Sequence, residues 1–102
     1  MATDKGHIYG EIENKTDMRK VFTEIRKDVQ HAKSRPALTE LYKRAGYLIT
    51  LTHAPSWKQK FGKEASELRE VGEEEFQTTA KKINSRAKKI GTDADFDETW
   101  GE

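Results

Sequence analysis

Residues 56–91, SWKQKFGKEASELREVGEEEFQTTAKKINSRAKKIG, decide the fold of this chain. The stretch contains no proline, and its apolar residues recur mostly at intervals of three and four, which keeps their side chains on one face of an α-helix. Ser56 and Gln59 match a capping box, and Gly91 suits the position just beyond a helix end. We therefore predict a C-terminal helix of roughly 50 Å, at about 1.5 Å per residue, against which the rest of the chain packs.

The apolar stripe of this helix changes direction near Gly72. The interval from Val71 to Phe76 is five residues, which rotates the second half of the stripe by roughly 80° relative to the first. Either one helix winds its stripe around its neighbours, or Gly72 ends one helix and the acids at residues 73–75 begin another. The sequence therefore predicts three helices, or four if the chain breaks at Gly72.

A first, shorter helix is predicted to begin near Thr16, whose side chain can cap the first turn. Apolar residues follow one helical stripe from Met18 to Ala32, and charged residues occupy the other face. Because proline disfavours helical angles in the residue before it, Pro36 should end this helix near residues 33–34.

A second helix is predicted between Pro36 and Pro55. Its apolar stripe runs from Leu38 to Ile49, and further apolar residues widen it, so this helix should be the most buried. Gly46 lies inside it, where glycine costs roughly 1 kcal/mol of helix propensity relative to alanine. We expect this glycine to permit the close approach of a neighbouring helix.

These elements predict an all-α fold: an antiparallel three-helix bundle with a long C-terminal helix, or four helices if the chain breaks at Gly72. We expect residues 1–13 to form an N-terminal arm, residues 14–91 the helical domain and residues 92–102 an acidic tail. The predicted core consists of Met18, Phe22, Ile25, Val29, Leu38, Leu41, Tyr42, Leu48, Ile49, Trp57, Phe61, Leu68, Phe76 and Ile83.

Composition narrows the classes of function. Among 102 residues, 19 Lys and Arg nearly balance 18 Asp and Glu, so no overall field favours nucleic acid or an anionic membrane. Cysteine is absent, which removes disulfides and thiolate metal sites. The longest apolar stretch, residues 45–51, is far shorter than the ~20 residues of a membrane span, and the first residues lack a charged and then apolar pattern, so we expect no signal peptide. We expect a cytoplasmic protein with no membrane association and no cofactor.

The length of the last helix suggests a contact surface. The earlier helices should reach only about 30 Å at 1.5 Å per residue, which would leave the second half of the long helix partly uncovered. Uncovered apolar stripes are usually covered by another chain, so we predict a homodimer or a protein partner there. The alternative is that the first helix or the N-terminal arm covers it. The candidate contact residues are Phe76, Ala80, Ile83, Ala87 and Ile90, with Phe96 and Trp100 from the tail.

The tail places five acids around two aromatic residues in the sequence TDADFDETWGE. Asp93, Asp95 and Asp97 match the opening of an EF-hand calcium loop, but Glu98 replaces the glycine that the sharp turn requires. We therefore expect a solvated acidic tail without packed structure, and no metal site. The alternative is an acidic, aromatic segment that docks on a partner or folds back on its own chain.

A basic run precedes the tail and supports a competing function. If the acidic tail masks this run, the chain is a nucleic-acid-associated regulator. We favour a solvated helix surface, because no nucleic-acid motif or stacking platform accompanies the run. The residues of the basic run are Lys81, Lys82, Arg86, Lys88 and Lys89.

A distant alternative concerns His31, which precedes Pro36 by five residues. This spacing resembles the phosphoacceptor box of the dimerisation domains of sensor histidine kinases, which are also helical hairpins. The resemblance implies a phosphotransfer role for His31. Ala32 stands where that box has an acid, and Arg35 stands where it usually has a threonine.

The sequence carries no glycine-rich phosphate loop, no Glu-x-x-His metal motif and no nucleophile paired with a base. We therefore expect a small regulatory or protein–protein interaction module, with self-association as one form of that role and without catalysis of its own.

Overall fold

The computed structural model describes residues 12–100, and every regular element in that range is helical. In chain order the elements are α1 (Lys15–His31), α2 (Arg35–His53), α3 (Pro55–Phe61), a 3-10 turn (Gly62–Glu64) and α4 (Ala65–Lys89). The predicted all-α three-helix bundle is confirmed, with residues 55–89 as its long third helical stretch.

Helices α1 and α4 lie side by side and run in the same direction. Lys15 Nζ lies 3.1 Å from Glu67 Oε2 near the start of both helices, and Arg26 NH1 lies 2.8 Å from Glu75 Oε1 further along. Helix α2 follows the short connection at residues 32–34, runs antiparallel to both neighbours and packs against them. The bundle therefore presents two grooves along α4, one beside α1 and one beside α2.

The helix starts use different caps from those predicted. Asn14, and not Thr16, caps α1, since its side chain accepts a hydrogen bond from the backbone N–H of Asp17. The predicted capping box at Ser56 does not form, because the helix already begins at Pro55, where proline needs no hydrogen-bond partner for its nitrogen. Ser34 caps α2 through the backbone N–H of Ala37.

The interruption of the long helical stretch lies at Gly62 and not at Gly72. Gly62 has a φ of 58°, a left-handed conformation that favours glycine, and it ends α3. Gly72 is buried inside a continuous α4, where a Cβ atom would lie 3.4 Å from Cε of Met18. The predicted alternative, a break at Gly72, is therefore wrong, and a side chain at this position would face Met18 of α1 and Ile49 of α2 at ordinary van der Waals distance.

The predicted core is buried as expected, except that Tyr42 and Phe61 are only partly buried at its edge. Ile12 joins the core from the residues before α1, while Met1–Glu11 of the predicted arm lie outside the described residues. One polar cluster crosses the α1–α4 interface: Arg26 donates to Glu75 and to the hydroxyl of the fully buried Thr79. This cluster fixes the register of the two parallel helices.

Candidate functional site: a groove between α2 and α4

The predicted contact surface on the long helix divides into two parts. Phe76, Ala80, Ile83 and Ala87 are all buried in the chain's own core. The expectation that this half of the helix would be uncovered is wrong for these four residues, because α1 runs beside it as far as Arg86 and residues after α4 cover its other flank. Ile90, which is partly buried, stays a predicted contact residue.

The chain turns back on itself at the end of α4. Gly91 has a φ of 84°, and the backbone N–H of Thr92 donates to the carbonyl of Ala87 over 2.9 Å, which closes the helix end. The residues that follow, 92–100, lie against α2 and α4, and we call them the C-terminal segment. The expectation of a solvated tail without packed structure is therefore wrong for this segment. Residues 101 and 102 lie outside the described range.

Asn84 on α4 holds the backbone of the C-terminal segment. Its Oδ1 accepts a hydrogen bond from the backbone N–H of Phe96 over 2.7 Å, and its Nδ2 donates to the carbonyl oxygen of the same residue over 2.8 Å. The Tyr42 hydroxyl on α2 donates to the carbonyl of Asp97 over 2.9 Å. These three hydrogen bonds contact only the main chain, so they recognise a peptide backbone and no particular side chain.

Two aromatic side chains of the segment pack against aromatic residues of the bundle. The ring centroid of Phe96 lies 4.9 Å from that of Tyr42. The Trp100 ring meets Tyr42 and Phe76 nearly edge-on, at centroid distances of 5.3 and 6.1 Å. Because tilted and edge-on aromatic pairs are favourable beyond their buried area, this cluster is the main apolar contact of the segment.

Gly46 provides the space for Trp100. A Cβ atom at position 46 would lie 2.5 Å from Cε2 and Cε3 of the indole, which is closer than such atoms can approach. The glycine therefore accommodates an indole ring and not a neighbouring helix, contrary to the prediction. Thr50, one turn further along α2, accepts a hydrogen bond from Nε1 of Trp100 over 3.0 Å.

Tyr42 lies at the centre of the groove, and its chemistry suits a hydrogen-bond donor. Burial and, to a smaller extent, the negative charge of Asp97 raise the pKa of Tyr42 above its ordinary value of 10.0. The hydroxyl therefore keeps its proton throughout the physiological range and can donate to the segment.

The acids of the segment contribute little to its docking. Asp93 Oδ1 lies 3.7 Å from NH1 of Arg35, and both side chains are largely exposed, so this pair is weak. Asp95, Asp97 and Glu98 are exposed and form no ion pair within residues 12–100. The segment is held by its backbone and its aromatic rings.

The basic run is divided between two faces of α4. Lys82, Arg86 and Lys89 line an open groove beside α1, together with Arg26 and Gln30 and without any acid. Lys81 and Lys88 lie on a different face of α4, since at about 100° per residue they are turned well away from the other three. Within the described residues no acid of the C-terminal segment forms an ion pair with the run, and the nucleic-acid alternative stays a prediction.

His31 is the last residue of α1, and its side chain is exposed. Within residues 12–100 it forms no hydrogen bond or ion pair through its imidazole ring. The phosphotransfer role stays a prediction.

From the sequence, Tyr42 was predicted in the core and Gly46 at a helix contact, whereas Thr50 and Asn84 were not identified. The groove is built by these four residues. Three of them stand four residues apart on one face of α2, which is a detectable pattern because residues at that spacing are neighbours on a helix surface. The helix-propensity cost of Gly46 was a further sign that this face of α2 makes a close contact. Asn84 carried none, since an amide at the edge of an apolar stripe is common on solvated helices.

Neither a metal site nor a membrane span is present in the described part of the chain. Among residues 12–100, no three His, Asp or Glu side chains come together to hold a metal ion. No helix in that range has the length and apolar character needed to cross a membrane. Comparison with protein-family models, with curated proteins and with solved structures gave no match to this chain.

Proposed function

We propose that this chain is a protein–protein interaction module, acting in the cytoplasm, whose groove between α2 and α4 binds an irregular aromatic segment of a partner protein. In the conformation described here, the chain's own residues 92–100 occupy that groove as an intramolecular competitor. The observation that carries the proposal is the pair of hydrogen bonds between the amide of Asn84 and the backbone N–H and carbonyl of Phe96. An amide that pairs with both backbone groups of one residue recognises a peptide chain whatever its side chains are.

The groove is suited to exchange because its walls belong to the bundle and its occupant does not. Phe76 and Ile83 belong to the core of the bundle, and Phe76 also contacts Trp100 of the segment. The segment itself keeps most of its side chains exposed. Elements with few buried apolar contacts open at low free energy, so the segment can leave without unfolding the bundle.

Intramolecular competition sets the conditions for binding. A segment on a short tether acts at an effective concentration on the order of millimolar. A partner's apparent dissociation constant is its intrinsic value divided by the fraction of molecules with an open groove. A partner must therefore bind the groove more tightly than the segment does, or the segment must be released first.

The test uses the full chain with the segment released by Phe96→Asp and Trp100→Asp. A fluorescent peptide with the sequence of residues 91–102 is titrated against this variant and against the wild-type chain. We expect saturable binding to the released variant and apparent affinity at least about tenfold weaker for the wild type, because its groove is occupied. Circular dichroism verifies that the released variant keeps its helices.

A matched pair of further variants locates the binding. Adding Gly46→Ala to the released variant should abolish binding, because the new methyl group occupies the position of the indole. Adding Ser66→Ala, on the exposed surface of α4, should leave binding unchanged. Equal affinity of the wild-type and released chains, or binding that survives Gly46→Ala, would show that the groove does not bind such segments.

A second candidate function rests on the basic groove between α1 and α4. Four cations line it and no acid does, which suits a polyanion such as single-stranded nucleic acid. Retention of a labelled oligonucleotide with a steep salt dependence, lost in Lys82→Glu, Lys89→Glu, would support it. If retention is equal for the wild type and that variant, this candidate fails.

A further inference from the structure

We propose that the groove selects partner segments by a tryptophan placed four residues after an aromatic residue, and that it does not recognise the acids between them. This inference rests on the proposed function, since it names the chemistry of the segment that the same groove binds. The partner class is a protein segment of the form aromatic-x-x-x-Trp that bends before the tryptophan, as residues 98–100 do here, and brings both rings against Tyr42 on α2.

The Thr50 hydroxyl selects the tryptophan, because its own hydrogen is already used and it can only accept a further hydrogen bond. Thr50 Oγ1 donates its single hydrogen to the carbonyl of Gly46 over 3.2 Å. Its oxygen is then left with lone pairs alone, and Nε1 of Trp100 donates to it over 3.0 Å. Among aromatic side chains, indole combines a donor N–H with a ring large enough to cover Gly46 and reach both Tyr42 and Phe76. Phenylalanine would cover less of Gly46 and could not donate to this hydroxyl, which is exposed and would then bond to water.

The aromatic residue and its register are selected at the other end. Phe96 packs on Tyr42 while Asn84 holds its N–H and its carbonyl. Proline has no N–H and is therefore excluded from this position. Since Tyr42 is one helical turn from Gly46 on α2, the two rings must be separated by a fixed stretch of chain. A spacing other than three intervening residues places the indole off the glycine.

The acids between the rings are not recognised. Asp95, Asp97 and Glu98 point into solvent without ion pairs in the described structure. Glu98 shares a depression with Glu73, a like charge, and a second depression with Lys88, with which it does not pair. The opposite charges of Glu73 and Lys88 nearly offset each other at the exposed rim of the groove. A peptide with neutral residues in place of the acids should therefore bind equally well.

The experiment is a panel of peptides titrated against the full-length Phe96→Asp, Trp100→Asp chain. The parent peptide has the sequence of residues 91–102. Its variants carry Trp100→Phe, 1-methyltryptophan at position 100, Phe96→Pro, one glycine inserted after residue 98, or the neutral set Asp95→Asn, Asp97→Asn and Glu98→Gln. We expect losses of tenfold or more for the first four and a change of less than threefold for the neutral set.

A second variant of the protein tests whether Thr50 accepts the hydrogen bond from the indole N–H. In the released chain with Thr50→Val, the parent peptide and the 1-methyltryptophan peptide should bind within twofold of each other, because the acceptor is gone. Tighter binding of the parent in that background would overturn the role of Thr50.

The outcomes separate the two proposals. If the parent peptide binds but the neutral set loses tenfold, or if Trp100→Phe binds equally well, the proposed function stands and this selectivity is wrong. If the parent peptide does not bind the released chain, both are wrong.

Discussion

Helix α4 contacts α1 along one flank and the C-terminal segment along the other, and the two interfaces are built differently. The α1 side consists of side chains such as Phe22 and Ile25 that are almost completely buried, joined by the ion pair of Arg26 and Glu75. The segment side consists of partly buried rings and hydrogen bonds to the main chain. The first interface specifies which helix packs where. The second holds a strand of peptide without fixing the bundle, which is the property of a site whose occupant can be exchanged.

The largest effect is expected from Phe22→Ala, which removes a fully buried ring from the α1 side. Deleting such a ring lowers the free energy of unfolding by about 3–5 kcal/mol, through lost transfer free energy and a cavity. Urea denaturation followed by circular dichroism measures it. A loss below about 1 kcal/mol would mean that this flank is no more specific than the other.

A smaller effect is expected from Arg26→Ala, which leaves Glu75 and Thr79 without their donor between the helices. We expect the free energy of unfolding to fall by about 1–2 kcal/mol, since both side chains of the pair are mostly shielded from water. Lys27→Ala is the matched control: it breaks an exposed pair with Glu24 and should cost about 0.5 kcal/mol or less. Similar losses for the two variants would contradict the structural role of Arg26.

On the segment side, Gly46→Ala should displace Trp100 while the bundle stays folded. The free energy of unfolding should change by less than about 1 kcal/mol, since alanine's higher helix propensity offsets part of the lost docking. The indole N–H resonance of Trp100 should move to the position of a solvated indole in NMR spectra. The resonance of Trp57, buried at the other end of the bundle, serves as the internal control. Loss of both native resonances would show that the two interfaces are not separable.

The smallest effect is a pH dependence. The pKa of Tyr42 is raised in the docked state, so its contribution is complete below the ordinary value near 10 and is lost as pH rises through the raised value. The indole signal of Trp100 should therefore shift towards the solvated position only at alkaline pH. Tyr42→Phe, which cannot ionise, should show no such step between pH 9 and about 11. The same step in that variant would assign the effect to other groups.

The sequence predicted the α1 flank and missed the segment for a physical reason. Core residues such as Phe22 and Ile83 repeat with the period of a helix, so their burial follows from local spacing. The contact of Gly46 with Trp100 joins residues more than fifty positions apart and has no period. It depends on the direction in which the chain leaves Gly91, and the five acids around the rings made exposure the natural prediction.

The helix boundaries also show that local sequence does not predict what tertiary packing decides. Pro36 and Pro55 correctly placed the ends of the first two helices to within a few residues, because proline acts on its immediate neighbour. The sequence left open whether the long helix continues through Gly72 or breaks there. The helix is continuous at Gly72, which is packed against α1 and α2, and the turn lies at Gly62. Which of two glycines takes a left-handed angle depends on tertiary packing and not on the local sequence.

The short connection through Gly91 also determines how fast a released segment returns to the groove. Only residues 90–95 connect the end of α4 to the docked Phe96, and loops of about ten residues close in roughly 10–100 ns. A partner at micromolar concentration meets the groove only about 0.1–10 times per second. After each release the segment therefore returns very many times before a partner arrives. Under the proposed function, release and return of the segment form a rapid pre-equilibrium before partner capture. The observed capture rate should then rise linearly with partner concentration, with a slope proportional to the fraction of time that the groove is open.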